Sequence, residues 1–110
     1  MRVVSEPEFG DKIRNVLKYL NIVAAKPRCV TGPGRSGAIA SVYASHILGI
    51  PWIPAGQPIP VHLQPVLVID TAIKSGASLR KLGRRCGEPC IQMAVYEEPP
   101  RVVFWYETKP

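Results

Sequence analysis

The sequence predicts an α/β fold in which a mostly parallel central sheet is flanked by helices. Short apolar runs alternate with segments whose apolar residues recur every three or four positions, an order typical of strands alternating with helices. Two apolar runs end in loops rich in glycine and hydroxyl residues, each followed by a helix-like segment. Strands connected through helices run in the same direction, so we expect parallel pairing. The 110 residues fit a single domain, 1–110.

Three helices follow from the spacing of apolar residues. They are predicted over 7–21, 38–48 and 77–85. Ser5 and Glu8 have the spacing of a capping box before the first helix. Gly49 is a natural end for the second helix, because glycine readily adopts the left-handed conformation that closes many helices.

Five short strands are predicted between and after these helices. They cover 28–31, 50–53, 66–69, 91–96 and 102–106. The segment 66–69 gives the clearest signal, because it is apolar without alternation, as strands buried on both faces are. Pro51 and Pro54 limit the pairing of 50–53, since proline cannot donate a hydrogen bond to a sheet. The proline-rich segment 54–65 is predicted to be a loop.

Composition and charge narrow the classes of protein. Hydrophobic residues make up 46% and charged residues 20%, which is typical of a folded globular chain. No apolar run approaches the ~18 residues of a membrane span, and the N-terminal residues lack the apolar centre of a signal peptide. We therefore expect a soluble, cytoplasmic protein with no membrane partner. The net charge of +6 favours an anionic partner, either a phosphate-bearing small molecule or nucleic acid.

The cysteines predict neither disulfides nor a metal site. Cys29, Cys86 and Cys90 are odd in number, which argues against a disulfide framework. The pair Cys86 and Cys90 is not matched by His46 or His62 at a spacing that would complete a zinc site.

The junction 70–78 combines a carboxylate with the residues of a phosphate site. Its small residues are Ser75, Gly76, Ala77 and Ser78. They let backbone N–H groups approach a ligand closely, and they precede a helix whose first-turn N–H groups are unpaired. Lys74 adds positive charge, whereas Asp70 suits a pair of sugar hydroxyls. The junction therefore predicts a site for a sugar that bears a phosphate, with a purely structural helix cap as the alternative.

The sequence VLVIDTAIKSGASL, 66–79, resembles the phosphoribosyl pyrophosphate (PRPP) signature of the type I phosphoribosyltransferases. In that family an apolar strand runs into two adjacent acidic residues, and a Thr-Gly-any-Thr loop then wraps the 5′-phosphate of PRPP. Asp70 matches the first acidic position, and 75–78 matches the loop with serine in place of both threonines. The segment CVTGPGRSGAIASVYASHILGIPWI, 29–53, is similar to the family's early strand–loop–helix unit. Residues Gly34, Arg35 and Ser36 fall at its pyrophosphate loop.

The resemblance implies a Rossmann-type three-layer fold and an enzyme that transfers phosphoribosyl from PRPP to a nitrogenous acceptor, releasing pyrophosphate. Asp70 is then the catalytic residue, holding the ribose together with Thr71. The 5′-phosphate is bound by Lys74, Ser75, Gly76, Ala77 and Ser78. Arg35 suits pyrophosphate, because its guanidinium is a fixed cation with several donors. Mg²⁺ is bound through PRPP, and a homodimer is the association typical of many relatives.

Three departures from the family pattern bear on activity. Thr71 stands where the second acidic residue is expected. The segment 54–65, in the position of the family's mobile lid, contains no Lys or Arg. The chain is also short for the hood that grips the acceptor. The terminal aromatics Phe104, Trp105 and Tyr106 have two interpretations: stacking on a base, or simple alternation between core and surface on a last strand.

Two other functions remain open on the sequence. The first is a non-catalytic regulatory module that binds PRPP or a nucleotide, which Thr71 favours. The second is a basic nucleic-acid-binding domain, for which a solvated helix face is the simpler interpretation. Its basic residues are Arg80, Lys81, Arg84 and Arg85. The acceptor, the presence of activity and the oligomeric state are not assigned.

Overall fold

The computed structural model describes residues 2–19, 22–72, 77–86, 90–96 and 102–107. The helices are α1 (Glu6–Tyr19), α2 (Ile22–Ala25), α3 (Gly34–Leu48) and α4 (Ala77–Cys86). The strands are β1 (Arg2–Val4), β2 (Cys29–Thr31), β3 (Val66–Ala72), β4 (Cys90–Tyr96) and β5 (Val102–Phe104). Short 3₁₀ helices cover Val61–Leu63 and Trp105–Glu107. Among the described helices, none is long and apolar enough to cross a membrane.

The central sheet is parallel, in the order β2-β3-β4. Residues 66–69 of β3 are fully buried, which confirms the predicted strand. Their side chains alternate between two cores: Leu67 and Ile69 pack with α1 and α3, while Val66 and Val68 pack with α4. Helices therefore cover both faces of the sheet. Burying each of these side chains stabilises the fold by about 1.5–3 kcal/mol.

Two boundaries differ from the predictions in ways that affect the site. Helix α3 begins at Gly34, four residues earlier than predicted, so Arg35 and Ser36 belong to its first turn. The early start is not visible in the sequence, because the N-cap residue is Pro33, whose side chain makes no capping hydrogen bond. Strand β3 continues beyond residue 69 through Asp70 to Ala72.

The predicted strand 50–53 is reduced to one parallel bridge between Trp52 and Val30. The Val30 N–H donates to the Pro51 carbonyl at 3.0 Å, and the Ile53 N–H donates to the Val30 carbonyl at 2.9 Å. The prolines on either side prevent further pairing. The indole Nε1 of Trp52 donates to the Ser41 hydroxyl of α3 at 2.8 Å, which ties this edge to the helix.

Strand β1 was not predicted, and it sets the position of the C-terminal segment. It pairs in parallel with β5, forming a second, two-stranded sheet in which Val3 lies opposite Val103. Phe104 of β5 is buried and meets Phe9 of α1 edge to face, with ring centroids 5.8 Å apart. The predicted last strand ends at residue 104, because the chain turns there into the 3₁₀ helix Trp105–Glu107.

The predicted helix-end signals are found in the structure. The Ser5 hydroxyl accepts the Glu8 N–H at 3.3 Å, the first half of a capping box. Gly49 has φ 66° and donates its N–H to the Ser45 carbonyl, which closes α3 in the left-handed conformation.

The predicted loop 54–65 is attached to the body of the protein along its second half. The thiol of Cys29 donates to the Leu63 carbonyl at 3.2 Å, and the Arg28 guanidinium donates to the His62 carbonyl at 3.3 Å. Ile59 and Leu63 pack against the core beneath α4. Ala55 and Gly56 remain exposed. The segment is therefore held at Ile59 and Leu63, while Val61 between them is 82% exposed.

Candidate functional site

The two strand–helix junctions lie side by side at the carboxyl edge of the sheet. Thr31, the last residue of β2, pairs with Val68 in β3. A Cβ on Gly32 would collide with the carbonyl oxygens of Gly37 and Ile69, so the turn after β2 runs directly against β3. Only glycine allows this approach. The start of α3 and Asp70 are consequently brought to the same edge.

The first turn of α3 has features that suit an anion. Gly34 has φ 64°, and a Cβ there would meet nothing within 4 Å, so the turn faces open space. Pro33 provides no side-chain cap, which leaves first-turn N–H groups available at the positive end of a 15-residue helix. Arg35 is exposed and Ser36 is half-buried in the same turn. All three residues of the predicted pyrophosphate loop thus lie at this helix start.

Gly34→Ala provides a test of this turn, with Gly49→Ala as its matched control. Both glycines have left-handed φ, 64° and 66°, and open space around the missing Cβ. Each alanine should therefore destabilise the protein by about 1–2 kcal/mol in urea unfolding. Titration with inorganic pyrophosphate should show a loss of binding of several-fold for Gly34→Ala alone. Equal binding by the two variants would rule out the turn as an anion site.

Asp70 and Thr71 follow each other on β3 and face opposite sides of the sheet. Asp70 is half-buried, and its Oδ1 accepts the Thr71 N–H at 2.7 Å. Burial raises the pKa of Asp70, while hydrogen bonds from the Thr71 backbone and side chain act in the opposite direction. Thr71 is 3% exposed, so its side chain is part of the protein interior. Of the two positions, Asp70 is the one accessible to a ligand.

Tyr106 contacts the start of α3, a position that neither interpretation of the terminal aromatics, base stacking or core packing, predicted. Its hydroxyl donates to the Ser36 Oγ at 2.7 Å, and the Arg35 guanidinium carbon lies 5.9 Å from its ring centroid. Burial raises the pKa of Tyr106, with the charges of Glu107 and Asp70 acting in the same direction and hydrogen bonds to Ser36 and Thr71 against it. The phenol therefore lies between the two junctions. No local pattern marks it, because the β1–β5 pairing alone brings it there.

The predicted 5′-phosphate loop is described only at its end. Lys74, Ser75 and Gly76 lie outside the described residues. The backbones of Ala77 and Ser78 open α4, as the predicted junction requires, and their side chains lie outside the described part.

A cleft of about 260 Å³ adjoins the start of α3 on the side facing α4. Its walls include Pro33 and Gly34, Ala55 and Gly56, and the α4 residues Lys81 and Arg85. Lys81 and Arg85 are exposed, and none of the lining residues that the structure describes is a carboxylate. The cleft shares Gly34 with the anion-binding turn but does not reach Asp70 or Arg35. Positive charge therefore extends from the turn along α4.

The cysteines are structural. Burial, followed by the neighbouring Cys86, raises the pKa of Cys29 to about 11, and burial also raises the pKa of Cys86. Thiols with raised pKa values are poor nucleophiles at neutral pH. Within the described ranges, no three His, Cys, Asp or Glu side chains are grouped so as to hold a metal ion.

In the parallel central sheet, β2 leads into the glycine turn that opens α3, and β3 carries Asp70 and precedes α4. Solved structures of phosphoribosyltransferases share this α/β fold. The structure is similar to Helicobacter pylori xanthine-guanine-hypoxanthine phosphoribosyltransferase, with TM-score 0.75 and 18% identity over 96% of this chain and 92% of that chain. It is also similar to a purine phosphoribosyltransferase from Pyrococcus horikoshii Ot3, with TM-score 0.71 and 21% identity. That match covers 100% of this chain and 97% of that chain.

A third similar structure is a hypothetical protein from Neisseria gonorrhoeae with bound ppGpp, with TM-score 0.72 and 13% identity over 97% of this chain and 90% of that chain. No protein-family model and no curated protein matches the sequence. These likenesses confirm the fold predicted from the sequence, including its phosphoribosyltransferase-like character.

Proposed function

We propose that the protein binds PRPP or a nucleoside 5′-monophosphate and transfers the phosphoribosyl group of PRPP to a nitrogenous acceptor, with release of pyrophosphate. One observation carries the proposal: the uncapped start of α3, with Arg35 and Ser36, lies at the same sheet edge as the half-buried Asp70. An anion site beside an isolated carboxylate suits a ligand with phosphates at one end and sugar hydroxyls next to them.

Different residues bind different parts of the ligand. The turn Gly34–Ser36 binds pyrophosphate, Asp70 accepts hydrogen bonds from the ribose hydroxyls, and 75–78 binds the 5′-phosphate. In the transfer, the bond from C1′ to the pyrophosphate oxygen breaks and a bond from C1′ to the acceptor nitrogen forms. Pyrophosphate leaves with the electron pair of the broken C1′–O bond and takes up the N–H proton that the acceptor loses. Asp70 stabilises the positive charge that develops on the ribose.

Magnesium fits this site as part of the ligand. Mg²⁺ usually keeps several waters and binds through one or two carboxylates together with substrate phosphates. Asp70, at the end of β3, is such a carboxylate, and the described residues offer no cage of three ligands that would hold the ion alone. When bound, the ion would neutralise pyrophosphate charge as that group leaves. Purine bases are the first acceptors to test, because two similar structures are purine phosphoribosyltransferases.

A second candidate is a regulatory module that binds a nucleotide without turnover. Thr71 favours it, because the position of the family's second carboxylate carries a buried, uncharged side chain. The segment 54–65 brings no Lys or Arg towards the site. The likeness to a structure with bound ppGpp adds a guanosine polyphosphate as a ligand to test. The cationic wall of Lys81 and Arg85 beside Gly34 would suit its phosphates.

Calorimetric titration with PRPP, with and without Mg²⁺, tests the proposal. We expect saturable binding that Mg²⁺ strengthens. Arg35→Ala should weaken it about 10- to 100-fold, because a charge-assisted contact worth about 1.5–3 kcal/mol is lost. Arg14→Ala is the matched control, since Arg14 pairs with Asp11 at 3.6 Å on the exposed side of α1.

The outcomes separate the candidates. Absence of binding at millimolar PRPP would refute the transferase proposal. Pyrophosphate release with one of a panel of bases would identify the enzyme and its acceptor. Binding of PRPP or ppGpp without release for any base would instead support the regulatory module.

A further inference from the structure

We propose that Tyr106 is a positioning residue of the pyrophosphate-binding turn, directing the hydroxyl of Ser36 and the guanidinium of Arg35 towards the same anion. This inference rests on the proposed function and assigns a role to a C-terminal aromatic residue that no sequence motif marks. Three observations carry it: a short hydrogen bond between the phenol and Ser36, the placement of Arg35 near the ring, and the packing of the segment that holds the phenol.

The hydrogen bond from Tyr106 fixes what Ser36 can do. The two hydroxyl oxygens lie 2.7 Å apart, and the phenol donates to the Ser36 Oγ because it is the more acidic of the two hydroxyls. The hydroxyl proton of Ser36 can then be donated to a different acceptor. Because Ser36 lies in the first turn of α3, an anion at that helix start is the natural acceptor. A hydroxyl that accepts one hydrogen bond is also polarised into a better donor of the next.

The ring of Tyr106 positions Arg35 without neutralising it. The guanidinium carbon lies 5.9 Å from the ring centroid, within the range of a cation–π contact. Among the described ion pairs, none involves Arg35. The cation is therefore held near the turn by a neutral surface, and its charge remains available to a ligand. One side chain thus restrains both polar groups of the turn.

The phenol itself is held by packing. Its ring stacks on that of Phe104 with centroids 5.6 Å apart and an interplanar angle of 11°, and Trp105 meets it edge to face at 5.0 Å. The Phe104 N–H donates to the Glu107 Oε1 at 3.1 Å, which closes the 3₁₀ turn. Asp70 and Thr71 of β3 lie close enough to the phenol to affect its pKa. Tyr106 therefore links the end of β3 to the start of α3.

Tyr106→Phe, titrated with three probes, tests this role. The ring and its contacts are kept, while the donor to Ser36 is lost. Affinity for inorganic pyrophosphate and for PRPP should fall on the order of tenfold, the effect of losing one oriented hydrogen bond. Affinity for ribose 5-phosphate, which does not reach the turn, should stay unchanged. In the Ser36→Ala background, Tyr106→Phe should cause no further loss, because the phenol acts through that hydroxyl.

Tyr43→Phe is the matched control. Tyr43 also donates a 2.7 Å phenol hydrogen bond, to the Glu6 Oε1, and it joins the same aromatic cluster through Phe9, with ring centroids 5.2 Å apart. The Tyr43→Phe variant should bind pyrophosphate, PRPP and ribose 5-phosphate with the same affinity as the wild-type protein.

The possible failures are distinguishable. If wild-type protein binds none of the probes, the proposed function fails and the role of Tyr106 fails with it. If wild-type binds but Tyr106→Phe leaves pyrophosphate affinity intact, or weakens all three probes equally, the positioning role alone is overturned. Additive losses in the double variant would also overturn it.

Discussion

Gly32→Ala should destabilise the protein by about 3 kcal/mol or more, a large fraction of the roughly 5–15 kcal/mol by which most domains are stable. The new Cβ would collide with the carbonyl oxygens of Gly37 and Ile69. Both are backbone atoms, and relieving the contact would push the start of α3 away from β3. Urea unfolding followed by circular dichroism measures the loss.

Gly10→Ala is the control for this substitution. A Cβ on Gly10 would meet the Arg14 guanidinium at 3.5 Å and the Tyr43 ring at 3.9 Å, both ordinary contacts with side chains. Because Gly10 lies inside α1, alanine should stabilise the protein there by about 0.5–1 kcal/mol. Similar unfolding free energies for the two variants would show that the turn after β2 does not run directly against β3.

Asp70→Asn should raise stability at neutral pH while abolishing most ligand affinity. Burial raises the pKa of Asp70 in the folded state. Because the folded-state pKa is raised, the neutral form of Asp70 favours folding. Its contribution to the free energy of unfolding is fully present below the unfolded-state pKa and is lost as pH rises through the folded-state pKa. Asparagine mimics the neutral form of Asp70. The variant should therefore be more stable than wild type at pH values above the folded-state pKa, and the two proteins should be equally stable in strong acid.

The effect of Asp70→Asn on binding should have the opposite sign. An amide cannot accept both ribose hydroxyls as a carboxylate does, so PRPP affinity should fall at least about tenfold. Any transfer rate should fall about 10²- to 10³-fold, because charge stabilisation in the transition state is lost. Calorimetry and pyrophosphate release measure these effects, alongside urea unfolding from pH 3 to pH 8.

Asp11→Asn is the control, because it removes only the exposed partner of Arg14. Full PRPP affinity in Asp70→Asn would exclude the ribose role. Lower stability than wild type at neutral pH would instead show that the carboxylate is a net stabiliser of the fold.

The elements predicted correctly are those governed by local chemistry. The apolar run 66–69 is a buried strand because helices cover both faces of the sheet, and Gly49 ends α3 through its own left-handed conformation. The start of α3 was placed too late, because Pro33 caps the helix with backbone geometry alone. The strand predicted at 50–53 is only one bridge in the structure. Its apolar residues favour a strand, but its prolines limit the pairing.

The candidate site was predictable where a motif carries the chemistry, and not where topology does. Asp70 and the turn Gly34–Ser36 are recognised from adjacent residues, and the structure places both at one sheet edge. Tyr106 reaches that edge only because β5 pairs with β1, a partner about a hundred residues earlier in the chain. Short strands with so distant a partner leave no periodic signal.

The pairing of β1 with β5 also determines the order in which the site can be assembled during synthesis. Residues 2–4 are synthesised well before their partner strand, residues 102–104. Contacts between such distant segments form late, because closing a long loop has a large entropic cost. The central sheet can form before then, but the phenol of Tyr106 cannot reach Ser36 until β5 has docked. A nascent chain would thus acquire its fold before its completed anion-binding turn.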